Sequence, residues 1–539
     1  MPTWKNALLA VLASVLLILA FPDFDLWFLA WFALVPLLWA IERERGHSCP
    51  HEHEVRKTLE RLRARWGQEC PRSFVLGWIF GTVFFFGTCW WLTYAPIHYA
   101  AFPPILAYFL LFCVTAIAGI FPGIFAALFS ILLRRFGSIA FLAAPFVWVF
   151  TEFLRYWITG NNWNTVGYSQ AFKPTMLQTV AIGGVYLLGF LVTIGSAIVA
   201  FLLVNSDRKS KLAKWISYTA SLLALISLSR FFLSPKINEP ENEPLRASQI
   251  VAVQPNVPMG GLTQQNWNEY RRNHIRLAES ALASIKENPH SALRTPQLVI
   301  FPESPMNFMY EDDAETKEFI NGFAAKNNVS VLFNSAEPDA SNGKFFNSAV
   351  LVSPEGKEVV QYDKIYLLPF GEAVPFPLEG ILPGFVGNFS YGKEYDLLPL
   401  GDAKAGVMIC FESHFGQLSR EYVRNGADVI IEMTNDGYLG PTPVLRQHLA
   451  NAIFRAVETN RPVLRVTNVG ITAYINERGE VLDAAEPYTE ATRVWSVAKS
   501  DGSQTFYVKH GDWFAWLCTI ITVGLLLLGF ARRNAKARA

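Results

Sequence analysis

The residues best suited to chemistry lie in the stretch G-V-M-I-C-F-E-S-H-F (406–415), where an apolar run ends in Cys410 and Glu412 and His414 follow at once. Two readings stand open there. Cys410 is either a small hydrophobe closing a buried strand or a nucleophile whose thiolate would carry covalent catalysis. The local pattern is strand, turn, helix: A-G-V-M-I-C alternates as a strand, and H-F-G-Q-L-S-R-E-Y-V starts a helix with Ser413 placed as its cap. A cysteine on such a turn is lifted out of the sheet, and the positive helix end would lower its pKa. A nucleophile needs a base, and residue types alone offer His414 and His448. Carboxylates at strand ends compete with them. Glu303 closes Q-L-V-I-F-P-E-S-P between two prolines, and Lys364 sits in Y-D-K-I-Y-L-L-P-F-G-E with Glu372 eight residues on. Each taken alone also reads as a capping or salt-bridged charge.

The elements that must position these side chains fill residues 235–510, a stretch of ordinary globular composition long enough for one core. Strand-like runs occur at 249–254, 297–302, 329–334, 348–353, 405–410, 428–433 and 463–468, with helical periodicity at 267–285 and 444–458. This alternation predicts a layered α/β domain.

The rest of the chain is of another kind. Overall it is 51% hydrophobic, 14% aromatic and only 17% charged, and the apolar residues gather in blocks about as long as the ~20 residues that cross a bilayer. Seven lie at about 5–21, 26–41, 74–95, 104–134, 139–157, 176–204 and 213–233, and an eighth at 512–531. The first reads as a membrane helix, because a second block follows without a small-residue cleavage site. Lys and Arg concentrate at Lys5, in 43–72, at Arg134 and Arg135, in R-K-S-K (208–211) and in the C-terminal tail, which all fall on one side if eight helices cross. Both termini are therefore expected in the cytoplasm, with 235–510 facing outward. Of six cysteines only Cys410 lies in that outer segment, so it has no disulfide partner there. A formal net charge of +1 gives no footprint for nucleic acid.

Three stretches, E-S-P, D-K-I-Y-L-L-P-F-G-E and G-V-M-I-C-F-E, resemble the glutamate, lysine and cysteine motifs of the nitrilase superfamily. The membrane blocks around them, G-N-N-W-N-T-V-G-Y-S-Q (160–170), M-T-N-D-G-Y-L-G (433–440) and R-A-V-E-T-N-R-P-V-L-R-V-T-N-V-G-I-T (455–472) resemble the apolipoprotein N-acyltransferase family within it. The resemblance implies a polytopic membrane domain of eight transmembrane helices and a four-layer α-β-β-α sandwich. The division is 1–234 (helices one to seven, with a cytoplasmic basic loop at 42–73), 235–510 (a periplasmic catalytic domain) and 511–539 (helix eight and a basic tail). It further implies a multi-pass protein of a Gram-negative-type inner membrane, embedded in the lipid bilayer. There it would move an acyl chain from a phospholipid, phosphatidylethanolamine, to the N-terminal S-diacylglyceryl cysteine of an apolipoprotein. Glu303 would be the general base, Cys410 the nucleophile forming a thioester, and Lys364 the oxyanion stabiliser. Glu372 and Glu412 would support them, and no metal or diffusible cofactor is required. Trp267 resembles a loop tryptophan at the acyl-chain entrance; ordinary helix packing accounts for it equally well. The family pattern has Tyr where Phe411 stands. A membrane-tethered amidase or hydrolase, or an inactive lipoprotein-binding receptor, would share the topology.

Other features read more plainly. H-S-C-P-H-E-H (47–53) with Cys70 does not have the spacing of a standard four-ligand zinc site. L-E-R-L-R-A-R-W (59–66) reads as a basic amphipathic helix on the inner leaflet. Glu152 and Arg155, near a helix end, read as a snorkelling or mutually paired couple.

Overall fold

The computed structural model describes residues 1–45, 71–204, 248–287, 297–306, 308–374 and 389–538. The basic loop with its His and Cys residues, the amphipathic run at 59–66 and the block at 213–233 lie outside the described residues. The chain divides into two compact units, Met1–Ser234 with Asp512–Ala539, and Pro235–Gly511.

The first unit is helical. Its principal helices are α1 (Trp4–Ala20), α2 (Val35–Arg45), α3 (Pro71–Thr88), α4 (Pro104–Ala118), α5 (Ile120–Phe136), α6 (Ala144–Thr159) and α7 (Val180–Val204), followed by Trp513–Arg538 at the C-terminal end. Among the described residues three stretches are long and apolar enough to cross a membrane: 104–159, Val180–Val204 and Trp513–Arg532. Pro71–Thr88 and Trp90–His98, bent by 62°, would together make a fourth. Eight separate spans are thus more than the described helices show, and the differences have local causes. The block at 26–41 breaks into a 3₁₀ turn (Trp27–Leu29), a single turn (Ala30–Ala33) and α2. Pro36 lacks the amide that would continue the ladder, and Ser196 of α7 serves the exposed backbone by donating to Trp31 O (3.0 Å) and accepting from Leu34 N (3.3 Å). The run at 104–134 is two helices, α4 and α5, meeting at Gly119, three residues before Pro122. A Cβ at Gly119 would stand 2.6 Å from the Thr82 hydroxyl, so α3 approaches at a point where only glycine fits. Glu152 and Arg155 are buried and serve the segment after α6. Glu152 Oε1 accepts from Val166 N (2.8 Å), and Arg155 Nη2 donates to Thr165 Oγ1 (3.3 Å).

The second unit is built on two six-stranded sheets. The strands are β1 (Ser248–Gln254), β2 (Leu298–Ile300), β3 (Ser330–Asp339), β4 (Lys344–Val352), β5 (Glu358–Asp363), β6 (Leu397–Leu400), β7 (Ala403–Ile409), β8 (Val429–Thr434), β9 (Val463–Thr467), β10 (Ala473–Ile475), β11 (Val481–Leu482) and β12 (Ala491–Val497). Their orders are β12-β1-β2-β3-β4-β5 and β11-β10-β9-β8-β7-β6. Each sheet has three parallel central strands, β1-β2-β3 and β7-β8-β9, flanked by antiparallel ones. Helices α8 (Gln264–Glu287) and α9 (Ala314–Asn327) cover the first sheet, and α10 (Gly416–Arg424) and α11 (Val444–Thr459) cover the second. The order helix, sheet, sheet, helix buries both faces of the central strands, which is why they read as continuous apolar runs. Val251, Val253, Val299, Val331 and Phe333 point to α8 and α9. Each such burial contributes roughly 1.5–3 kcal/mol.

Strand β7, which leads into Cys410, is seated by close approach. Gly406 lies under the ring of Tyr422 from α10, whose hydroxyl donates to Val407 O. A Cβ at Gly406 would collide with that ring. Gly406→Ala is therefore expected to lower the unfolding free energy of this unit by on the order of 1–3 kcal/mol, the usual cost of overpacking. Thermal unfolding of the purified chain measures it; an unchanged midpoint would show that the ring moves aside freely.

Candidate active site

Cys410 follows the last residue of β7 and opens a 3₁₀ turn, Cys410–His414. Its φ is +52°, in the left-handed region that residues other than glycine rarely occupy. Such strain persists only where surrounding contacts enforce it. Cys410 forms no disulfide, and the residue as a whole is partly exposed. Helix α10 begins later, at Gly416, with Phe415 at its N-cap; Ser413 is not the cap and instead donates to Cys410 O (3.4 Å). The expectation that a helix end lowers the thiol pKa fails with it. Burial pushes the thiol well above its ordinary value, the Glu303 charge adds to that shift, and Lys364 opposes it. The resting group is the thiol, and it needs a base.

Glu303 lies three residues beyond β2. Its Oε1 accepts from Asn347 Nδ2 (3.2 Å) and stands 4.0 Å from Lys364 Nζ, and its Oε2 accepts from Asn435 N (3.1 Å). Burial raises its pKa and the Glu372 charge adds to this; Lys364 and hydrogen bonds, including one from Cys410, pull the other way. A carboxylate hydrogen-bonded to a buried thiol is placed to take its proton.

Lys364 follows β5 and has a side chain 1% exposed. Its Nζ donates to Glu372 Oε1 at 2.8 Å. Burial works against the ammonium, but Glu372 and Glu303 together outweigh it and hold the lysine above its ordinary pKa. A cation fixed between two carboxylates stays charged and can face a developing oxyanion. Glu372 is fixed in turn: Asn347 Nδ2 donates to its Oε1 (2.6 Å) and Leu368 N to its Oε2 (2.7 Å). Asn347, in mid-β4, therefore holds both carboxylates with one amide group.

Glu412 is fully buried. Its Oε1 accepts from Tyr362 Oη (2.8 Å), Ile365 N (2.7 Å) and Tyr366 N (3.0 Å), and its Oε2 from Ile409 N (2.8 Å). Burial pushes its pKa up to about 7, against the pull of Lys364 and these donors. One carboxylate thus joins the segment carrying Lys364 to the turn carrying Cys410.

The structure brings Glu303, Lys364, Cys410, Glu372 and Glu412 together, and neither His414 nor His448 is recorded in contact with the Cys410 thiol. His414 is buried and stacks on Phe411 (centroids 5.4 Å apart), the residue standing where the family pattern has Tyr. His448 approaches the carbonyl of Cys410. Trp267 is in the first turn of α8 rather than a loop, half-buried against the helix–sheet core, with the Arg271 guanidinium 5.9 Å from its ring. Sequence reasoning missed Asn347 and Asn435, whose only signal is a polar residue interrupting or closing an apolar strand.

Comparison with known proteins follows the division into two units. Residues 13–51 and 62–198 match the apolipoprotein N-acyltransferase N-terminal domain, and residues 205–505 match the carbon-nitrogen hydrolase family. A Geobacter metallireducens protein named apolipoprotein N-acyltransferase is 29% identical over 540 residues, covering 98% of this chain and 96% of its own. One of the same name from Allorhizobium ampelinum is 27% identical over 553 residues, covering 97% and 96%. A solved carbon-nitrogen hydrolase from Helicobacter pylori aligns with 47% of this chain and 89% of its own, at 17% identity and a TM-score of 0.37. The carbon-nitrogen hydrolase match spans more than half of the sequence, around every one of the clustered site residues, and the chain belongs to that family.

Proposed function

We propose that this protein is a membrane acyltransferase that uses a phospholipid to N-acylate the N-terminal S-diacylglyceryl cysteine of apolipoproteins, the last step of lipoprotein maturation. The observation that carries the reading is Cys410, held at positive φ beside Glu303 and Lys364. Full-length likeness to relatives named apolipoprotein N-acyltransferase supports the substrate class. In this reading 1–234 and 511–539 form an eight-helix domain of a bacterial inner membrane, with both termini cytoplasmic. Residues 235–510 are the periplasmic catalytic domain, and phosphatidylethanolamine is the acyl donor.

The chemistry follows from the site. Glu303 takes the thiol proton as Cys410 Sγ attacks the ester carbonyl of the phospholipid. Lys364 Nζ faces the oxyanion of the tetrahedral intermediate. Collapse expels the lysophospholipid alkoxide, which recovers the proton from Glu303 and leaves a thioester on Cys410. The α-amine of the diacylglyceryl cysteine then attacks that thioester. Glu303 accepts the amine proton and returns it to the departing thiolate, and an amide is formed. A thioester is reactive enough to acylate an amine, yet forms from an oxygen ester without external energy. Glu372 keeps Lys364 in place and Glu412 keeps the two halves in register. Trp267 borders the acyl-chain entrance.

Intact-mass spectrometry of the chain purified with phosphatidylethanolamine is expected to show a fatty-acyl adduct on Cys410, released by hydroxylamine and absent in Cys410→Ser. A wild type that never carries the adduct, and transfers no chain to a diacylglyceryl peptide, sinks the proposal. An adduct that releases free fatty acid and ignores the amine would make the protein a hydrolase.

Glu303→Gln should abolish adduct formation with the fold unchanged. Because the base works only when ionised, and its pKa is raised, the rate of acyl-enzyme formation should fall as pH drops through a point above the ordinary carboxylate range. An acid limb at or below that range would count against Glu303.

Glu412→Gln keeps the shape but turns one acceptor oxygen into a donor facing backbone N–H groups. A loss of about 10²-fold in acylation rate, with little change in apparent donor affinity, is expected from misplacement of reacting groups. A change confined to affinity would contradict a positioning role.

A further inference from the structure

Behind the cysteine turn lies a second buried charge cluster that the acyl-transfer steps do not use. His448 comes from α11, Glu432 from β8, Asp436 from the 3₁₀ turn after β8, and Arg465 from β9; none is more than 4% exposed. His448 Nδ1 is 2.7 Å from Asp436 Oδ1. Its Nε2 is 3.0 Å from Cys410 O and 3.3 Å from Glu432 Oε1. Arg465 bridges the two carboxylates, with Nη2 2.8 Å from Asp436 Oδ2 and Nη1 on Glu432 Oε1.

Both ring nitrogens of His448 therefore face acceptors. The Cys410 carbonyl can only accept, so Nε2 serves it by donating an N–H. Asp436 is itself held below its ordinary pKa despite burial, by Arg465 and His448.

We infer that His448 is a positioning residue for Cys410: it donates Nε2–H to the cysteine carbonyl and holds the left-handed backbone that presents the thiol. Arg465, Asp436 and Glu432 fix the ring and connect it to β8, the parallel neighbour of β7, and to β9 beyond it. This rests on the reading of Cys410 as the nucleophile. It gives His448 no part in proton transfer to or from the thiol.

The test is single-turnover formation of the Cys410 acyl-enzyme by the full chain in mixed micelles of phosphatidylethanolamine, followed by intact mass. His448→Leu removes the donor, and His448→Gln restores an N–H donor without a titrating ring. If position is what matters, Leu should slow acylation about 100-fold and Gln should recover most of it, with half-saturating donor concentration nearly unchanged in both. If the Leu variant does not survive purification, His448→Asn, whose amide is too short to reach the carbonyl, takes its place. Equal rates for the donor and non-donor variants, a wild-type rate without a donor, or a change in half-saturation alone would overturn the inference while leaving the nucleophile in place. Absence of the adduct in the wild type would overturn the nucleophile reading first, and this inference with it.

Discussion

The carboxylate of Glu412 ties the first sheet to the second beside the candidate site. Tyr362 and the amides of Ile365 and Tyr366 lie at and beyond the end of β5, in the first sheet, and Ile409 ends β7 in the second. Four donors on two oxygens satisfy a buried anion that would otherwise be expensive. They also set the register between the lysine and the cysteine. The proposed chemistry depends on that register, because it requires Lys364 to lie beside a carbonyl whose carbon is attacked from Cys410. Glu303 joins from the end of β2 and is located by Asn435 beyond β8, so a second link of the same kind crosses between the sheets. The candidate site is a seam held by carboxylates.

That arrangement accounts for the density of buried charge. Lys364 lies between Glu303 and Glu372, and Arg465 and His448 between Glu432 and Asp436. Replacing such groups by apolar ones often leaves stability equal or better, so their presence is weak support for a stabilising role. What they contribute is direction. A hydrophobic core tolerates sliding; a carboxylate holding named N–H groups does not.

Glu303 and Cys410 stood out in the sequence because each follows an apolar strand where a polar group needs a reason to be, and Lys364 because it sits among aromatic and aliphatic neighbours in a stretch that resembles a family motif. The seven strand runs and the helices at 267–285 and 444–458 were legible for the same reason, central strands being apolar on both faces. Strands β5 and β12 lie at sheet edges, and their mixed composition hid them. The relations among distant residues were hidden altogether. Nothing local in N-S-A-V-L-V announces that Asn347 would hold Glu303 and Glu372, 44 and 25 residues away. The break in the second apolar block is completed by Ser196, 162 and 165 residues away from the groups it serves. Among the described residues, apolar blocks therefore outnumber the helices long enough to cross a membrane. The cap expected at Ser413 failed because a 3₁₀ turn comes between Cys410 and α10.

The left-handed backbone at Cys410 has a consequence beyond catalysis. A residue with a Cβ there costs of order 1–3 kcal/mol, and glycine would relieve most of it. Selection for thermal robustness alone would thus favour a glycine at position 410, a residue with no chemistry to offer. If Cys410 is the nucleophile proposed above, activity alone opposes that exchange, and a lineage released from it would have a downhill path, in a single substitution, to a sturdier and silent protein.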